Sequence, residues 1–127
     1  MAGDPKERRA HPREALGLRV AMSIAGLRYT VPAILDNISL GGCYFVAPVA
    51  QVTEGSTVSV AFAMKPSGWC KASGTIVRFR RGEGFGVKFD EINEAMHEFI
   101  MTLGCTSDEG RAEVAAAIAV PEVLVIP

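Results

Sequence analysis

Short apolar runs with a period of two, each closed by a turn signal, run from Leu18 to Phe89 and constrain the fold more than any other feature. Alternation puts successive side chains on opposite faces, so each run reads as a half-buried strand. Leu18, Val20, Met22 and Ile24 form the first, and Ala25-Gly26 turns the chain into a second run from Leu27 to Leu35. Pro32 in that run predicts an edge position or a bulge, because proline cannot donate to a ladder. Cys43 to Val46 is a short third run, and Pro48 to Gly55 reads as a loop. Val58, Val60, Phe62 and Met64 then alternate with Ser59, Ala61 and Ala63. Lys65-Pro66-Ser67-Gly68 is a turn signal, and Trp69 to Arg80 is a long strand ending in Arg78, Arg80 and Arg81. After Gly82-Glu83-Gly84, Phe85, Val87 and Phe89 line one face of a last strand.

The period then changes. Ile92, Met96, Phe99, Ile100 and Leu103 fall at helical spacing, with Gly104 expected to stop the helix. Six strands followed by one amphipathic helix predict an all-β domain with a C-terminal helix: a six-stranded antiparallel β-barrel capped by that helix. Residues 1–16 read as a flexible basic arm, 17–104 as the barrel and helix, and 105–127 as an extension. Within the extension, 107–119 is alanine-rich and suits a marginal helix. The apolar tail from Val120 to Pro127 suits packing on the barrel, pairing as an edge strand or contacting another protein, and the residues alone do not choose.

A chain of 127 residues is one domain by size. Its net charge of −1 is uninformative, but the charge distribution is not. Lys6, Arg8, Arg9, Arg13 and Arg19 outnumber Asp4, Glu7 and Glu14 at the head, while acidic residues outnumber Arg111 at the tail. A basic head suits an anionic partner or a solubilising arm. Three widely spaced cysteines, Cys43, Cys70 and Cys105, without a CxxC pair, argue against a disulfide framework and a zinc site. They read as small core residues. His11 and His97 have no ligand spacing, and His97 falls on the polar side of the helix. No metal and no cofactor are expected. Ser39 has no neighbouring base in sequence, so no catalytic residue is assigned and the protein is expected not to be an enzyme. No apolar run has signal-peptide character or membrane-spanning length, so a cytoplasmic location is expected. Trp69, beside a turn, reads as a packed anchor.

The stretch richest in chemistry joins the second and third runs: Asn37-Ile38-Ser39-Leu40-Gly41-Gly42. Glycine permits positive φ, and Asn and Ser side chains bond nearby backbone, so it is a tight turn. If the strand continues through it, Asn37 and Ser39 share a face, and Gly41 and Gly42 leave bare backbone beside them. That combination suits a base edge or a phosphate.

These residues resemble the PilZ domain family. Arg9-Ala10-His11-Pro12-Arg13 fits its RxxxR pattern and Asn37 to Gly42 its (D/N)xSxxG pattern, in that order and at this separation. Gly84-Phe85-Gly86-Val87-Lys88-Phe89 looks like the family's closing strand, and the resemblance spans roughly residues 8 to 103. PilZ domains are receptors for cyclic di-GMP, so the resemblance implies that ligand, with Arg8, Arg9, Arg13, Asn37, Ser39, Gly41 and Gly42 as the site. Guanidinium suits both phosphate oxygens and guanine O6 and N7. On this reading Arg9 and Arg13 clamp the ligand, and the arm becomes ordered as they do. Asn37 accepts from a guanine edge, Ser39 donates to a phosphate, and Gly42 leaves room for the ligand. Arginine at position 8 looks like the variants that hold a stacked pair of ligands. Asn37 in place of aspartate weakens the guanine contact by about 1 kcal/mol, since charge-assisted bonds are roughly twice as strong as neutral ones. With no fused output domain in 127 residues, such a receptor is expected to signal through a protein partner, through its own oligomeric state as a homodimer, or both. Two rival readings are a PilZ-like adaptor that binds no nucleotide and a barrel that binds single-stranded nucleic acid through Arg78, Arg80, Arg81, Phe79 and Phe85. The second is disfavoured because Phe85 and Phe89 alternate in phase with Val87, which is a core pattern.

Overall fold

The computed structural model describes residues 13–48, 52–64, 68–105, 107–118 and 120–126. Its elements in chain order are β1 (Glu14–Ile24), β2 (Thr30–Ile38), β3 (Gly42–Val46), β4 (Thr57–Met64), β5 (Gly68–Arg80), β6 (Gly84–Ile92), α1 (Glu94–Gly104), α2 (Asp108–Ala117) and β7 (Val120–Ile126). The strands close into a barrel in the order β1-β2-β3-β6-β5-β4-β7.

The barrel has seven strands rather than the expected six, because the apolar tail is the seventh. β7 pairs antiparallel with β4 from Thr57↔Ile126 to Ala63↔Val120 and parallel with β1 from Ala21↔Glu122 to Ile24↔Val125. The tail is therefore not an edge strand: it lies between the two strands that would otherwise be edges, and satisfies both. A parallel neighbour requires a crossover connection, and α2 lies in the segment leading into it. The barrel is accordingly antiparallel everywhere except at β1–β7.

Alternation sets which side chains fill the interior. Leu16, Leu18, Val20, Met22 and Ile24 of β1, Val58, Val60 and Phe62 of β4, and Val123 and Val125 of β7 are all buried. Phe45 and Phe85 pack with ring centroids 5.4 Å apart. α1 buries Met96, Phe99, Ile100 and Leu103, and the Phe99 ring meets Phe62 edge-on at 5.0 Å. Its apolar stripe thus continues the barrel interior, as its spacing predicts. Asn93 caps it: Oδ1 accepts from Met96 N at 2.9 Å and Lys71 N at 3.1 Å, while Nδ2 donates to the Trp69 carbonyl at 2.8 Å. One amide joins the helix start to the start of β5.

Four expectations change. Gly104 lies in the last turn of α1 and not at positive φ, so the helix ends without the left-handed glycine stop. Trp69 is 44% exposed and is not a packed anchor. Cys43 and Cys70 are buried, but Cys105 is exposed, just past a helix end. β1 begins at Glu14, within the stretch read as an arm. Pro32 behaves as expected: its partner on β1 is Ala21, and pairing of β2 with β3 begins only at Ile34, so β2 is locally an edge there.

Two outcomes check this architecture. Val123→Ala, which trims a fully buried side chain of β7, is expected to lower unfolding free energy by about 1–2.5 kcal/mol in urea titration. In thiol titration of the native protein, Cys105 is expected to react first, with Cys43 and Cys70 following only on unfolding, since burial pushes both of their thiols up.

Candidate functional site

Three strand bulges lie at the site: one on β1 between Ala15 and Leu18 sets Ala15 opposite Asn37, and two more, on β2 and β5, turn polar side chains outward. Along β2, Ala33 and Leu35 face the core, so plain alternation would aim Asn37 inward as well. Against β3, however, Leu35 pairs with Phe45 and Asn37 with the adjacent Tyr44, so β2 carries one extra residue there. The phase shifts: Asp36 is exposed, Asn37 half-buried, and Ile38 takes the inward place. β5 repeats the device. Cys70, Ala72, Gly74 and Ile76 are buried, then Ile76↔Val87 is followed by Arg78↔Gly86, which leaves Val77 as the extra residue. Beyond it Arg78 and Arg80 are exposed and Phe79 packs against the core.

The shifted residues meet in one row. Ala15 pairs with Asn37, Asn37 with Tyr44, Tyr44 with Gly86, and Gly86 with Arg78, crossing five strands on the outer face. Gly86 lacks a side chain between Tyr44 and Arg78, so the row dips between those two residues. The result is a cleft of about 880 Å³, within the range of small-molecule sites, lined by Arg13, Asn37, Tyr44, Arg78, Arg80 and neighbours. Three guanidiniums face it against one carboxylate, Asp36. A bulky anion is the ligand class that such a cleft favours.

Arg13 is already placed. Its Nη1 donates to Asn37 Oδ1 at 2.9 Å, and Asn37 Nδ2 donates to Asp36 Oδ2 at 3.1 Å. The next residue, Glu14, forms an ion pair with Arg111 of α2 at 2.8 Å, and Arg111 Nε donates to the Leu103 carbonyl. The entry to β1 is thereby pinned against the ends of both helices.

The turn residues behave differently from the expectation. β2 ends at Ile38, so Ser39 does not share a strand face with Asn37. Ser39 is buried; its Oγ accepts from Gly41 N and Gly42 N, both at 3.2 Å, and donates to the Gly42 carbonyl at 3.3 Å. It holds the turn closed. Neither Gly41 nor Gly42 has positive φ. A Cβ on Gly42 would collide with the Val87 carbonyl of β6, so the close approach that demands glycine there is that of a neighbouring strand. Arg8 and Arg9 lie outside the described residues. The site therefore unites Arg13 and Asn37 of the expected set, and adds Tyr44, Arg78 and Arg80.

The family model described as PilZ domain matches residues 7–103. The chain belongs to the PilZ domain family. No curated protein and no solved structure matches it. The matched segment of this PilZ domain ends at α1, so β7, which closes the barrel, lies outside it. Among the described residues, no group of His, Cys, Asp and Glu side chains is arranged to hold a metal, and no helix is long and apolar enough to cross a membrane. Phe85, invoked for stacking on single-stranded nucleic acid, is fully buried, which removes that platform.

Ser39→Ala is expected to cost about 1–3 kcal/mol in thermal unfolding, because one buried and one partly buried amide lose their acceptor. Gly42→Ala is expected to be destabilising as well, since backbone must move to relieve the clash with Val87.

Proposed function

We propose that the protein is a cyclic di-GMP receptor that binds its ligand on the outer-face cleft and signals through a protein partner, without catalysing a reaction. One observation carries the reading: Arg13, Arg78 and Arg80, from opposite ends of the cleft, converge around Asn37 and Tyr44. Membership of the PilZ family supports the ligand's identity. Each guanidinium suits a phosphate oxygen pair or the O6 and N7 edge of guanine, and can stack on a purine face.

The proposed event is an exchange of partners. Arg13 leaves the neutral amide of Asn37 for a phosphate, trading a neutral acceptor for a charged one. Asn37 keeps a carbonyl lone pair for a guanine donor. Arg8 and Arg9 then close over the ligand and the arm becomes ordered. Fixing five residues from 8 to 12 costs roughly 5–10 kcal/mol in backbone entropy. A charge-assisted bond returns about 1.5–3 kcal/mol, so ordering needs several arginines acting together. Ser39 and Gly42 serve by holding the turn that presents Asn37. The ordered arm is the change that a partner protein would read.

The test is isothermal titration with cyclic di-GMP, with GTP as control. Arg13→Ala and Arg9→Ala are each expected to weaken binding about 10- to 100-fold, and Arg78→Ala about 10-fold. Binding that ignores all three substitutions, or no heat at tens of micromolar protein, sinks the proposal. In the second case the adaptor reading takes its place.

A further inference from the structure

The outer face of β7, β4 and β5 is unusual for a solvated sheet. Val58, Val60, Phe62, Val123 and Val125 point inward, so the residues between them point out. The registers arrange those outward residues in rows across the three strands. Ile126 pairs with Thr57 and Thr57 with Thr75; Leu124 with Ser59 and Ser59 with Ser73; Glu122 with Ala61 and Ala61 with Lys71. Every row has a small residue on the central strand. In two of these three rows a large apolar residue on β7 is balanced by a small one on β5, and in the third an acid is balanced by a base; a fourth row sets Ala63 between Val120 and Trp69, which is 44% exposed at that end of the face. Leu124 and Ile126 are 43% and 44% exposed. Beside them, on the β4–β5 side, lies a hollow of about 310 Å³ lined by Ser59, Ala61, Lys71, Ser73 and Glu91 among others.

Such a pattern is complementary to itself. A two-fold axis in the contact plane along β4 carries the β7 side of one copy over the β5 side of the other, row by row. Leu124 then faces the partner copy's Ser73 hollow, Ile126 faces Thr75, and Glu122 faces Lys71, each contact made twice. The small residues of β4 sit on the axis and let the sheets approach to the usual spacing of about 10 Å. We infer that this face is a homodimer interface in which a second copy of the chain packs β4 against β4 in isologous fashion. Charge selects the occupant: an unrelated acidic or basic partner would meet an unlike charge on one flank and a like charge on the other, whereas a second copy matches both. Three strands about 4.8 Å apart and some six residues long give a projected footprint on the order of 300 Å² per copy. That is below the roughly 800 Å² per partner of a standard interface, so the dimer belongs to the weak, concentration-dependent class.

Sedimentation equilibrium on the full chain from a few micromolar to several hundred micromolar tests it. The wild type is expected to show a reversible monomer–dimer equilibrium, and Leu124→Arg to remain a monomer. Glu122→Lys and Lys71→Glu each oppose like charges twice and are expected to weaken the dimer about tenfold. Mixing those two single variants should restore association as a heterodimer, as should combining both changes in one chain. Recovery on mixing cannot come from a folding defect in either variant. A wild type that stays monomeric throughout, or a dimer indifferent to the charge reversals, or one that mixing does not rescue, overturns the inference. Cyclic di-GMP binding is read separately by calorimetry, so either conclusion can fail without the other.

Discussion

Every other feature of this domain rests on closure of the hydrogen-bonded ladder. Without β7, the sheet β1-β2-β3-β6-β5-β4 would leave β1 and β4 with rows of unpaired amides and carbonyls, and its interior would be open along a seam. Val120–Ile126 fills that seam, donating and accepting on both sides and adding Val123 and Val125 to the core. Burial of two valines contributes about 3 kcal/mol or more, and the ladder on both flanks spares the backbone the cost of burying unpaired groups. The family match stops before this strand, so part of what stabilises the barrel lies outside the matched segment.

Closure also demands bends, and the bulges that supply them are what create the cleft. A bulge adds one residue to one strand, increases twist and reverses which side chains face outward beyond it. At Asp36 and Val77 the reversal moves Asn37, Arg78 and Arg80 from the phase of the core to the outer surface. Five strands then contribute to one surface although their residues come from distant parts of the chain. The ion pair of Glu14 with Arg111 ties the same surface to α2, and through α2 to the closing strand. The edge of the basic cleft and the helix that precedes the closing strand thus share one ion pair at the first residue of β1.

Much of the architecture was legible because it depends on local pattern. Period-two runs between turn residues located the first six strands, and the change to helical spacing located α1 and its buried face. Arg13 and Asn37, which line the cleft, are legible as candidate site residues because the motif spacing carries them. Arg78 and Arg80 are visible in the sequence as a basic run, but their place beside Asn37 is not. An unbroken strand places them on the same face as Ile76, and nothing in the residues announces the extra one at Val77. Ser39 and Gly42 stand out in the sequence as candidate ligand contacts; in the folded chain turn amides and a β6 carbonyl surround them, which only the strand neighbours reveal.

The amino-acid order by itself determined which segments are extended, which face of each is apolar, where the helix lies and that arginines accompany a polar turn. These are short-range properties, set by backbone sterics and by the period of hydrophobic residues. Tertiary structure alone decided that the tail closes the barrel, that the bulges turn three polar side chains outward, and that Ser39 is buried. Each of these depends on which strands become neighbours and in what register, and a one-residue change of register reverses every side chain beyond it. Register is a property of pairs of strands, and no single strand encodes it.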